Sequence, residues 1–257
     1  KIHGLSYSPE TNLTGTAATP SFTNTKSIEL DGVDDFVDAS SSISTISSDN
    51  EGTFSVWFKP NSLLSNHNII TLSDNNRTDR YLIFGWSSPS FLNNVFVQMR
   101  NGNSNTGFLL QTDTSPLTVG VWTHLALVQD GVSAKIYVNA VEVPQTFLIA
   151  NNDQKWLNDF SINEFNIGKL VMSSGSFNFT DGNLDEFAYF SSALSSTDIE
   201  TIYNSGVPNN LNDLSTPPII WYRCGDGDTA PTLTDNGSGG NNATMENFST
   251  FSTDVPT

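Results

Sequence analysis

The segment Ser27-Ile28-Glu29-Leu30-Asp31-Gly32-Val33-Asp34-Asp35-Phe36-Val37-Asp38 decides how the rest of the chain is read. Ile28 and Leu30 flank Glu29, as on a strand with one buried face. Asp31-Gly32 and two further carboxylates then read as a tight turn into a second strand at Phe36-Val37. Its mate lies far along the chain at Gly182-Asn183-Leu184-Asp185-Glu186-Phe187-Ala188-Tyr189-Phe190, again a glycine, an acidic pair and an aromatic-rich strand. The two segments are expected to be neighbours in one antiparallel body, with strands filling the chain between them.

Several local patterns support this. Phe54, Val56 and Phe58 alternate with Ser55, Trp57 and Lys59, bulky on both faces, as suits an inner strand of a two-layer sandwich. Asp130-Gly131 joins the runs 123–129 and 133–138 as the clearest hairpin. Asn139-Ala140 follows, where a type I′ turn would hold Ala140 at positive φ at a cost of about 1 kcal/mol. Either the turn type differs or the loop is reshaped. Residues 144–161 read as a long irregular insertion carrying Trp156 and Phe160. One helix is legible, with Ser195 as N-cap, Asp198 at N3, Leu194 and Ile199 as a staple, and Gly206 with Pro208 as the stop. It is expected to plug one end of the sandwich.

Four strings occur in order: Ile28-Glu29-Leu30-Asp31-Gly32-Val33-Asp34-Asp35-Phe36-Val37, Phe54-Ser55-Val56-Trp57-Phe58-Lys59-Pro60, Trp122-Thr123-His124-Leu125-Ala126-Leu127-Val128, and Asn183-Leu184-Asp185-Glu186-Phe187-Ala188-Tyr189. Together they resemble the laminin-G-like domains of the concanavalin A-like lectin and glucanase class. The resemblance implies an all-β jelly-roll β-sandwich of two antiparallel sheets with one short helix on the C-terminal side. It implies no single function, because that fold hosts lectins, adhesion modules, hydrolases and structural domains. Residues 1–257 are read as one such sandwich, with 1–26 and 219–257 as closing or edge strands, since a lone strand pair with no sheet to join is marginal. The alternative is that 219–257 opens a second repeat.

A formal net charge of -17 and a pI near 4.1 repel nucleic acids and anionic membranes, and no apolar run approaches membrane-spanning length. Cys224 is the only cysteine, so no intrachain disulfide forms, and it reads as a buried small residue rather than a nucleophile. His3, His67 and His124 are too scattered for a zinc site. Glucanases of this class place their carboxylates as Glu-x-Asp-x-Glu along one strand. Here Asp34-Asp35-x-x-Asp38 and Asp185-Glu186 have the wrong alternation, so the chain is not read as an enzyme.

Asp31, Asp34, Asp35, Asp38, Asp181 and Asp185 supply hard oxygen ligands suited to a structural Ca²⁺, with Asp34 and Asp185 the preferred pair. On a regular strand Asp185 and Glu186 face opposite sides, so one ion would not take both. The competing reading is that these carboxylates accept backbone N–H groups in their turns. For a sugar, aromatic platforms flanked by amides are wanted, and Trp86, Phe91, Trp156 and Phe160 with Asn152 are the candidate ligand-binding residues.

The expected function is a non-catalytic surface structural or recognition domain with a glycan or an assembly or capsid protein as partner. The Asn, Ser and Thr-rich strands and the closing segment from Trp221 to Pro256 are similar to laminin-G-like domains in virion structural proteins of tailed bacteriophages. That similarity implies a capsid-decoration, fibre or tail role at a virion surface, displayed as a homo-oligomer. The alternative is a secreted, extracellular bacterial carbohydrate-binding or adhesion module.

Overall fold

The computed structural model describes residues 22–102, 107–150 and 153–257. In chain order its strands begin with β1 (Ile28–Asp31), β2 (Phe36–Asp38), β3 (Gly52–Pro60), β4 (His67–Ser73), β5 (Arg80–Ser87) and β6 (Asn94–Asn101). There follow β7 (Phe108–Thr112), β8 (Thr123–Gln129), β9 (Ala134–Val138), β10 (Val141–Glu142), β11 (Gln145–Ala150) and β12 (Glu164–Ile167). The last are β13 (Leu170–Met172), β14 (Gly175–Phe177), β15 (Asp181–Phe190), β16 (Ile220–Tyr222), β17 (Thr232–Leu233) and β18 (Ala243–Glu246). Two α-helices accompany them, a single turn α1 (Ile43–Ile46) and α2 (Ser196–Tyr203).

All but β13 and β14, which pair with each other apart, build two antiparallel sheets. The seven-stranded one runs β1-β15-β3-β8-β9-β10 with β16 also on β15, and the nine-stranded one runs β11-β7-β6-β5-β4-β12-β2-β18-β17. The two acidic segments meet as expected: Ile28 stands opposite Leu184 and Asp31 opposite Asp181. Alternate residues of both sheets point inward and make the core. Phe54 sits at its centre, its ring centroid 4.7 Å from Tyr189 and 5.6 Å from Trp156. Each such buried aromatic contributes about 1.5–3 kcal/mol of apolar transfer.

The β8–β9 hairpin turns on Asp130, whose Oδ1 accepts the N–H groups of Val132 and Ser133, both at 2.9 Å. The next turn resolves the question left by Asn139-Ala140. With φ of 48° and 68° both residues are left-handed, and Val141 pairs directly with Val138, so the turn is a two-residue type I′ with alanine in the strained place.

The helix α2 is capped as the sequence indicates: Asp198 N–H donates to Ser195 Oγ at 3.2 Å, and Ser195 N–H donates to Asp198 Oδ2 at 3.1 Å. It ends at Asn204, which takes the left-handed conformation at φ 45°. It does not plug an end of the sandwich. Ile199 and Ile202 pack on Ala126, Tyr137, Ala188 and Phe190, on the outer face of the seven-stranded sheet. That face carries small and apolar residues at alternate positions, so it needs a lid. The supposed irregular insertion at 144–161 is likewise half regular, because β11 pairs with β7 as an edge strand.

Residues from 219 onward add strands to both sheets: β16 lies on β15 with Tyr222 opposite Phe187, β18 lies on β2 with Met245 opposite Val37, and β17 pairs with β18 at the edge. Phe22 stacks on Trp221 with ring centroids 6.2 Å apart, and Ser27 bridges to Ser252. Residues 1–21 of the expected N-terminal arm lie outside the described residues.

Candidate functional site

The strand β6 reads Asn94-Val95-Phe96-Val97-Gln98-Met99-Arg100-Asn101. Val95, Val97 and Met99 enter the core, so Phe96, Gln98 and Arg100 face outward from the nine-stranded sheet. Register places the neighbours on the same face: Ile83 and Leu109 each stand opposite Gln98, and Tyr81 stands opposite Arg100. Phe96, Ile83 and Leu109 make an apolar floor outside the main core. Phe91 and Leu92, in the loop after β5, and Asn178, just after β14, stand over this floor and close a groove of about 260 Å³. The Arg100 guanidinium lies 5.7 Å from the Tyr81 ring centroid, and among the described residues no carboxylate lines the groove. In so acidic a chain, that is a locally cationic pocket with an apolar base.

One wall depends on a β-bulge. His67 stands opposite Trp86 but Ile70 opposite Phe84, so Asn68 and Ile69 together face Gly85. Glycine is required there, because a Cβ on Gly85 would lie 2.1 Å from the His67 carbonyl oxygen. Ile69 goes to the core and Asn68 to the groove. Two wider hollows, one near Arg80 and Asn158 and one between the β9–β10 turn and α2, lack a sheet floor of this kind.

The sequence-based choice of ligand residues is corrected by burial. Trp86 is fully buried in the core, and its indole N–H donates to the Leu63 carbonyl at 3.2 Å. Trp156 is also fully buried and donates to Tyr189 Oη at 3.3 Å, while Phe160 packs into the same core. Large rings in apparent loops are drawn under the sheets because that removes most apolar area from water. Phe91 alone of the four aromatics is exposed, at 74%, and stands at the groove. Asn152 lies outside the described residues. Sequence reading missed Phe96, Gln98 and Arg100, although their alternation with Val95, Val97 and Met99 was there to be counted.

The expected metal pair is not brought together. Asp185 lies beyond Leu184, opposite the far end of β1 from Asp34, about 13 Å away or more along the strand. Asp185 meets Glu186 instead, through a second bulge: Asp185 stands opposite Trp57 and Ala188 opposite Ser55, with Glu186 at φ 47°. The expected opposite facing of Asp185 and Glu186 fails for that reason. Asp185 Oδ2 accepts Asn24 Nδ2–H at 2.8 Å, and Glu186 Oε2 accepts Trp221 Nε1–H at 2.6 Å with Arg223 Nε 3.4 Å from its other oxygen. Burial, then the neighbouring Glu186 charge, pushes the Asp185 carboxyl well up; burial pushes Glu186 to about 7. Two carboxyls so engaged offer little to a metal.

The better carboxylate group is Asp31, Asp34 and Asp35, whose ligand oxygens lie within 4.8 Å of one another and could coordinate a hard divalent cation. Part of it is already used: Asp31 Oδ1 accepts Val33 N–H at 2.8 Å and Asp34 N–H at 3.2 Å, and these bonds hold its pKa below the ordinary value.

A family model for the concanavalin A-like lectin/glucanase superfamily, in its Laminin_G_3 branch, matches residues 31–200. The chain belongs to that superfamily. The match is to a lectin-type module and not to a catalytic domain. No curated protein sequence matches this superfamily member. Among solved structures, the CBM40 module of the Ruminococcus gnavus IT-sialidase, bound to α2,3-sialyllactose, is 15% identical with a TM-score of 0.60, covering 71% of this chain and 99% of that one. A candidate carbohydrate-binding protein of Bacteroides ovatus is 18% identical with a TM-score of 0.62, covering 91% and 62%. The NanB sialidase of Streptococcus pneumoniae is 20% identical with a TM-score of 0.57, covering 72% of this chain and 29% of that one. These likenesses concern the fold. They correct the expectation of a bacteriophage virion component, because the similar chains are sialidases and carbohydrate-binding modules. Asn and Ser are favoured in the turns of any chain, so their abundance does not single out a virion protein.

Proposed function

We propose that this chain is a non-catalytic carbohydrate-binding module, acting outside a cell or at its surface, whose groove on the nine-stranded sheet takes an acidic glycan of the sialylated kind. The observation that carries the reading is Arg100, among the described residues the one cation lining a groove otherwise made of an apolar floor and neutral polar side chains. A guanidinium pairs a carboxylate in a fixed fork, while Ile83, Phe96 and Leu109 meet the apolar face of a sugar. The CBM40 module with α2,3-sialyllactose, similar in fold, supports the choice of ligand.

Titration calorimetry with α2,3-sialyllactose and with lactose tests this. Wild type is expected to bind only the sialylated sugar, and Arg100→Gln, which keeps length and amide polarity, to weaken it at least about tenfold. Equal binding of both sugars, or an unaffected Arg100→Gln variant, would sink the reading. The Asp31, Asp34 and Asp35 turn adds a separate expectation, a bound Ca²⁺. Calcium should then raise the melting temperature, a chelator should reverse it, and Asp34→Asn should abolish the response.

A further inference from the structure

We propose that the end of the sandwich carrying Leu64, Phe91 and Val119 docks on a zwitterionic lipid surface. The proposal stands apart from the glycan reading, because it concerns loop tips and needs no sugar.

Antiparallel order puts alternate loops at the same end, and three loops far apart in sequence meet there. The loop 61–66 leaves β3 at Pro60, whose carbonyl accepts Gly120 N–H from the loop 113–122 at 2.8 Å. Asn66 Oδ1 accepts Ser88 N–H from the loop 88–93, also at 2.8 Å. Each loop buries one apolar side chain and exposes another close by. Leu63 and Leu117 pack on the main core and Leu92 on the groove floor, while Leu64, Phe91 and Val119 are 84%, 74% and 51% exposed. The tips are braced from behind: Trp86 Nε1–H donates to the Leu63 carbonyl, and Phe91 N–H and Asn93 N–H donate to the Ser88 carbonyl at 3.0 Å.

Charge separates this end from the other. Residues 60–66, 87–93 and 114–122 contain no Asp, Glu, Lys or Arg, whereas the opposite end turns through Asp74, Arg77, Asp79 and Asp130. Single exposed apolar side chains are ordinary on any surface; one on each of three braced, uncharged, adjoining loops is not. A protein partner is matched by a continuous apolar patch that packs like an interior. Here the apolar groups are single side chains set among Ser, Asn and Thr on separate loops. A bilayer interface accepts that shape, with each tip among the acyl chains and the polar neighbours at headgroup level. The headgroups must carry no net charge. The acidic turn of Asp31, Asp34 and Asp35 is joined to the same end, since Asp31 stands opposite Asp181 and the Asp181 carbonyl accepts Asn61 N–H at 3.1 Å, and an anionic leaflet would repel it.

Co-sedimentation with phosphatidylcholine vesicles, without glycan, tests this. Wild type is expected to be half bound at lipid on the order of 1 mM, as suits a few side chains, and the double variant Leu64→Ser with Phe91→Ser to need at least about tenfold more. Melting curves check that the variants fold; should the double variant not, Leu64→Ser alone is expected to weaken binding about threefold. Val132→Ser, exposed in the β8–β9 turn at the opposite end, should bind as wild type does, and added phosphatidylserine should weaken binding. Wild type left in solution at roughly 10 mM lipid overturns the proposal, as does an equal loss in Val132→Ser or undiminished binding by the folded double variant. Self-association of wild type that the double variant abolishes also overturns it, in favour of a second copy as the occupant. Because the vesicles carry no sugar, this result and the calorimetry with sialyllactose fail independently.

Discussion

Ala140 carries a backbone conformation that its side chain resists, at φ 68° in the type I′ turn. Replacing it with glycine removes that clash, and Ala140→Gly is expected to raise stability by about 1 kcal/mol, less whatever the freer unfolded chain takes back. Urea unfolding would show the midpoint move up with an unchanged slope; a lower midpoint would mean the methyl packs better than the backbone suffers. Trp156 makes the reverse case. Its ring fills the core against Phe54, and its N–H reaches Tyr189, whose hydroxyl donates in turn to Asp49 at 2.9 Å. Trp156→Ala should cost about 3–5 kcal/mol through the cavity it leaves. Any remaining folded protein should keep the wild-type order of glycan affinities, whereas a ring that touched ligand would change it.

The elements show what a single sequence can disclose and where it stops. Strand alternation at Phe54 to Phe58, the Asp130-Gly131 hairpin and the Ser195 cap were all readable, because each depends on neighbours within a few residues. Asn68 and Glu186 were not. Each sits in a bulge, where one extra residue resets the two-residue period and sends a side chain to a face that counting assigns to its neighbour. The burial of Trp86 and Trp156 was hidden for a related reason, since which way a loop-flanking ring points is set by the partner strand and not by the loop. The bulge in β4 carries its own prediction. Gly85→Ala would drive a Cβ into the His67 carbonyl, so it should cost about 1–3 kcal/mol and weaken glycan binding as Asn68 shifts. A variant as stable and as tight as wild type would show that the bulge has slack.

At the scale of the whole molecule, acidity sets the pH at which the fold is strongest. Glu186 holds its proton up to about 7 in the folded chain against an ordinary 4.5, and Asp185 is raised with it. Between those values the folded state carries protons the unfolded chain has released, so stability falls as pH rises through that window. Asp31, Asp130 and Asp254 shift the other way, and what they contribute is lost only as pH drops below their ordinary 3.8. Melting temperature should therefore peak on the acidic side of neutrality, and Glu186→Gln should flatten the decline toward pH 8; a rising curve from pH 5 to 8 would contradict the burial of this pair. Cys224 lies at 1% exposure beside the same carboxyls, its thiol pushed far up by burial. The native domain should therefore leave a thiol-reactive dye colourless. A cysteine engineered into the loop of Phe91 would then be the sole handle for a fluorophore, turning the domain into a reporter of its own occupancy.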